Sequence, residues 1–132
     1  DEDRTGYIRS LRERFVVKIF REVTTVFLNG TVSQRMHPGI VNFCFPGVES
    51  EALLARLNSQ GVYCSAGSAC TSGSLEPSHV LTAIGLTPAE ANSCIRFSLG
   101  RNNTEEEVDY AADCVIKAVR DIRELNGYGG TR

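Results

Sequence analysis

The chain has 132 residues, a mass of 14.4 kDa, 42% hydrophobic and 23% charged residues, and a formal net charge of −2. That is the size and balance of one globular domain, not of a disordered chain. No apolar run approaches the roughly 20 residues that span a bilayer, and a slightly acidic balance offers no footprint for nucleic-acid backbones, so neither membrane nor nucleic acid is expected as a partner.

The N-terminus, Asp1-Glu2-Asp3-Arg4, is charged with no apolar run behind it, which is unlike a signal peptide. From Arg4 to Val23, Ile8, Leu11, Phe15 and Ile19 recur at helical intervals and predict an amphipathic helix. Thr24 to Leu28 predicts a short strand, broken at Asn29-Gly30. Ile40 to Phe45 predicts a buried strand ending at Pro46-Gly47. Ser50 is the expected N-cap of a helix carrying Leu53, Leu54 and Leu57, with Gly61 as its stop. Val62 and Tyr63 then open another strand.

From Ser65 to Ser74 no side chain is larger than Thr or Cys, so nothing there anchors in a core. Pro77 and Gly85 bracket a short helix containing His79, and Thr87-Pro88-Ala89-Glu90 reads as a capping box opening another. Ile95, Phe97 and Leu99 alternate with Cys94, Arg96 and Ser98, the pattern of a strand buried on one side. Thr104 to Glu107 is a second capping box. Behind it Val108, Ala111, Val115, Ala118 or Val119, Ile122 and Leu125 form one stripe, with acids early and Lys117, Arg120 and Arg123 late, matching the helix dipole. The sum is a small α+β fold: one mostly antiparallel sheet of three to four strands, covered mainly on one face, with two long and two short helices.

Five cysteines, at 44, 64, 70, 94 and 114, are odd in number and include no C-x-x-C pair. A reducing cytoplasm is therefore the expected setting. His37 and His79 stand alone, so no metal site is expected, and His79 reads as a surface or capping residue before a general acid or base. Cys44, Cys94 and Cys114 read as core residues. Cys70 differs, because its Gly/Ser-rich loop has no core to bury it, and an accessible thiol is a candidate nucleophile. Cys64 lies six residues before it; a disulfide to Cys70 or a shared metal lacks further supporting ligands. Arg96 projects from a firm strand, away from Ile95 and Phe97, as a solvated arginine or as a planar fork for a carboxylate.

Ser65-Ala66-Gly67-Ser68-Ala69-Cys70-Thr71-Ser72-Gly73, followed by Glu76-Pro77-Ser78-His79-Val80-Leu81, resembles the active-site cysteine segment of cysteine desulfurases of the NifS/IscS type. Ile95 to Gly100, Thr104 to Asp109, Phe27 to Gly30, Val41 to Phe43 and Glu51 to Leu54 are similar to further segments of that family. The resemblance implies a class V aminotransferase fold that uses pyridoxal phosphate to take sulfur from L-cysteine and release L-alanine. Cys70 matches the persulfide-forming nucleophile, Ser65, Gly67, Ser68, Ala69, Thr71, Ser72 and Gly73 its active-site loop, and Arg96 the arginine that grips the substrate carboxylate.

The family's cofactor lysine lies in a Ser-x-His-Lys type segment. This chain has only Lys18 and Lys117, both within amphipathic helices. It is therefore expected to be a C-terminal small domain, 1–132, of a longer enzyme whose cofactor-binding domain is elsewhere. Alone it should neither bind the cofactor covalently nor turn over. A mobile cysteine loop over 64–77 and a frayed tail over 126–132 are expected, and Cys64 stands where the family usually has a small non-thiol residue. Sulfur-acceptor or scaffold proteins, for iron–sulfur assembly or tRNA thiolation, are the implied partners. The family is typically homodimeric, although this piece could be monomeric. The competing readings are a stand-alone thiol or metal-binding sulfur carrier and, within the same fold, a selenocysteine lyase or aminotransferase-like relative.

Overall fold

The computed structural model describes residues 2–29, 38–66 and 92–128. Within them lie α1 (Glu2–Glu22), β1 (Phe27–Asn29), β2 (Ile40–Cys44), α2 (Ser50–Ser59), β3 (Ser65–Ala66), β4 (Cys94–Ser98) and α3 (Glu105–Asn126). The strands form one antiparallel sheet in the order β1-β2-β4-β3. The helices expected near residues 77–85 and after Thr87 lie outside the described residues, as do Cys70 and His79.

Alternation along β2 and β4 sends Val41, Phe43, Ile95 and Phe97 to one face. There they merge with Leu11, Phe15 and Ile19 of α1, Leu53 and Leu57 of α2, and Val108, Val115, Val119 and Ile122 of α3 in one buried cluster. Phe15 packs edge-on against Phe43 and Phe97, with ring centroids 5.8 and 5.0 Å apart. Among the described residues the helical cover is thus on one side, as the patterning predicts.

Ion pairs give the direction of the two long helices. Arg14 meets Asp109 at 2.8 Å, Lys18 meets Asp113 at 3.0 Å, and Glu22 meets Arg120 at 3.2 Å. Residue numbers rise together along both partners, so α1 and α3 run parallel.

The start of α3 is as read. Thr104 accepts from the Glu107 N–H, and the Glu107 carboxylate accepts from the Thr104 N–H. Four expectations shift. Leu125 is 76% exposed and leaves the stripe, while Arg123, read as a dipole-matching cation, is 2% exposed. The N-cap of α2 is Glu49, without a side-chain cap bond; Ser50 is already helical and its N–H donates to the Asn92 carbonyl, a backbone bond from a distant part of the sequence. The edge strand is Ser65–Ala66 and not Val62–Tyr63. At the C-terminus, Gly127 caps α3 in the left-handed region (φ 68°), and the Tyr128 N–H donates to the Arg123 carbonyl.

Two glycines are required by close approach. A Cβ on Gly39 would run into the Leu99 carbonyl oxygen, where β2 and β4 come together. Gly47 has φ +86° and lies against the Tyr128 ring, which a Cβ would overlap.

Candidate active site

Hydrogen bonds from Phe45 N–H to Ser93 and from Leu99 N–H to Gly39 bracket the β2–β4 ladder. Combined with the register, they make Val41–Phe97 and Phe43–Ile95 the hydrogen-bonded pairs. The alternate pairs Ile40–Ser98, Asn42–Arg96 and Cys44–Cys94 are then of the closely spaced, non-hydrogen-bonded kind, and all point away from the helices.

Arg96 lies at the middle of this second face, opposite Asn42 on β2 and opposite Ser65 on β3. It is partly buried, yet its Nε is sealed from solvent with no hydrogen-bond partner among the described residues. The Asn42 Oδ1 is buried and unpartnered in the same way. None of the ion pairs among the described residues involves Arg96. A guanidinium with an unused donor, on a strand held from both sides, is equipped to take a planar anion such as a carboxylate.

Cys44 and Cys94 were expected as separate core thiols. The structure joins them by a disulfide, with Cα atoms 4.0 Å apart and both residues at 0% exposure, packed by Phe27. Strand pairing explains this: the register sets the two cysteines opposite each other at a closely spaced position, the place where a cross-strand bridge fits. Cys114 is buried on α3 and Cys64 is half-buried before β3, and both are free thiols. Burial pushes the Cys64 thiol up to about 11, the reverse of what a reactive thiolate needs. Cys70, Gly67, Ser68, Ala69, Thr71, Ser72 and Gly73 lie outside the described residues; of the expected loop, Ser65 and Ala66 are held in the sheet.

Neither lysine approaches Arg96. Lys18 is paired with Asp113 and Lys117 with Asp121 at 3.3 Å, both on the helical side of the sheet. These residues do not fit a Schiff-base cofactor, so no step through pyridoxal phosphate is assigned to them. Among the described residues no three His, Cys, Asp or Glu side chains cluster to hold a metal ion, and no helix is long and apolar enough to cross a membrane. A groove of about 700 Å³ off the C-terminal end of β4 is lined by Tyr63, Ser98, Leu99, Asn103 and Tyr110 among others. It does not include Arg96.

The fold of the described residues, a small antiparallel sheet with α1, α2 and α3 packed on one face, is similar to that of solved NifS-like proteins. One NifS-like protein aligns over 96% of this chain and 29% of its own, with a TM-score of 0.63 and 24% identity, a likeness of fold. The X-ray structure of the NifS-like protein from Rickettsia africae aligns over 92% of this chain and 29% of its own, with a TM-score of 0.67 and 25% identity. Residues 5–111 match the family described as Aminotransferase class-V, and the chain belongs to that family. Cysteine desulfurase IscS of Klebsiella pneumoniae is 46% identical over 125 residues, covering 95% of this chain and 30% of the relative. The protein of the same name from Edwardsiella ictaluri is 50% identical over 119 residues, covering 90% and 28%. The chain thus spans less than a third of the length of the curated relatives it matches.

Proposed function

We propose that this chain is the C-terminal, sulfur-accepting lobe of a cysteine desulfurase. The observation that carries the reading is the pairing of Ser65 with Arg96. Cys70 follows Ala66 by four residues, a span whose full contour length is only about 14 Å. The tether therefore starts beside the arginine. Arg96 grips the carboxylate of L-cysteine, and the Cys70 thiol takes its sulfur. The balance is Cys70–SH plus cysteine giving Cys70–S–SH plus alanine: one C–S bond breaks, one S–S bond forms, and the proton count is unchanged. The cofactor, pyridoxal phosphate, is supplied by another part of the protein, and this chain alone is inactive. The persulfide is then handed to a sulfur acceptor, for iron–sulfur assembly or tRNA thiolation.

Similarity to proteins named cysteine desulfurase supports the substrate, and Arg96 supports the carboxylate. In the full-length protein, Cys70→Ala abolishes alanine and sulfide formation from L-cysteine under reductant. Arg96→Lys, which keeps the charge but loses the fork, raises KM on the order of tenfold or more. Sulfide release undiminished in Cys70→Ala, measured by methylene blue, overturns the nucleophile assignment. An unchanged KM in Arg96→Lys overturns the arginine's role. Comparing alanine release from cysteine and selenocysteine separates the lyase alternative.

A further inference from the structure

Two buried polar atoms on the second face of the sheet lack partners among the described residues: the donor Arg96 Nε and the acceptor Asn42 Oδ1. The residues that bear them are directly opposite each other, in the closely spaced type of pair, whose Cα atoms lie about 4.5 Å apart. One idle donor thus stands across from one idle acceptor, within a side-chain rotation of each other.

We infer that Asn42 is a positioning residue for Arg96: its Oδ1 accepts the Nε–H when a carboxylate is bound, which fixes the plane of the guanidinium and presents the two terminal nitrogens to that carboxylate. This rests on the reading of Arg96 as the group that grips the substrate. The choice of side chain supports it. An aspartate at residue 42 would make a cross-strand ion pair and hold the sheet more firmly, but it would also occupy the charge that the substrate needs. An amide offers the same acceptor geometry and leaves the positive charge available. No carboxylate among the described residues pairs with Arg96, as this role requires.

The test compares Asn42→Ala and Asn42→Asp with Arg96→Lys in the full-length holoenzyme, reading KM and kcat for L-cysteine. Asn42→Ala is expected to raise KM about tenfold, the scale of one hydrogen bond to a charged group, with kcat changed by less than about twofold. Asn42→Asp, although nearly isosteric, is expected to raise KM further than alanine does. Cysteamine, which lacks the carboxylate, should inhibit all three Asn42 forms, native included, with similar constants. A milder effect of aspartate than of alanine, the order that a purely structural role gives, overturns the inference, and so does an unchanged KM in both. If Arg96→Lys raises KM while neither Asn42 variant does, only Asn42 loses its role. If Arg96→Lys also leaves KM unchanged, the carboxylate reading falls with it.

Discussion

Arg123 brings a guanidinium into the core with carbonyl oxygens as its partners. Its Nε donates to Pro46 at 3.0 Å, and its two terminal nitrogens donate to Thr24 and Thr25 at 2.6 Å each. The Tyr128 ring lies 4.8 Å from the guanidinium carbon. Burial lowers its pKa, yet the group stays charged across any ordinary pH. Thr25 adopts φ +52°, a conformation unfavourable for a branched residue, and Arg123 holds its carbonyl there. Arg123→Met therefore removes three hydrogen bonds to backbone carbonyls and should cost on the order of 3 kcal/mol in urea unfolding; a loss below about 0.5 kcal/mol would show that the fan is not structural. In the sequence this residue looks like an ordinary cation in the last turn of a helix, because its partners come from 77 to 99 residues away. Cys64 makes a second prediction. With its thiol pushed up to about 11 from 9.0, the folded state keeps the proton longer than the unfolded one. That contribution to stability is complete below about pH 9 and declines as pH rises toward 11. Iodoacetamide should accordingly label Cys64 slowly at pH 8 and much faster above pH 10, as followed by peptide mass mapping; rapid labelling at pH 8 would contradict the burial.

At the scale of elements, the Cys44–Cys94 bridge pins β2 to β4 across a separation of 50 residues. Closing a loop of that length removes chain entropy from the unfolded state, an effect of roughly 4 kcal/mol. Reductant, or the paired substitutions Cys44→Ala and Cys94→Ala, should lower the urea midpoint accordingly. The non-reduced digest should contain a peptide joining Cys44 and Cys94; finding both fully alkylated without reductant refutes the bridge. The pattern of either strand alone is legible in the sequence, and so is α3, whose cap, stripe and charge gradient all agree locally. Register is not legible, since it depends on two distant strands meeting. For that reason the disulfide, the Asn42–Arg96 pair and the attachment of β3 beside Arg96 were invisible, whereas Arg96 itself stood out by alternation. The cytoplasmic expectation rested partly on unpaired cysteines, and the bridge removes that ground.

For the molecule as a whole, the parallel α1 and α3 form the outer layer, joined by the ladder of Arg14, Lys18 and Glu22 with Asp109, Asp113 and Arg120. Pairs this exposed contribute little each and select direction more than stability. Beneath them, β4 lies between β2 and β3 although it is the last of the described strands in sequence. On a ribosome this order matters. Leu11, Phe15 and Phe43 are translated long before Ile95, Phe97 and Val115, against which they are buried. Within this stretch, therefore, synthesis leaves the early apolar faces without their partners until β4 and α3 have been made, and the shared core closes only then.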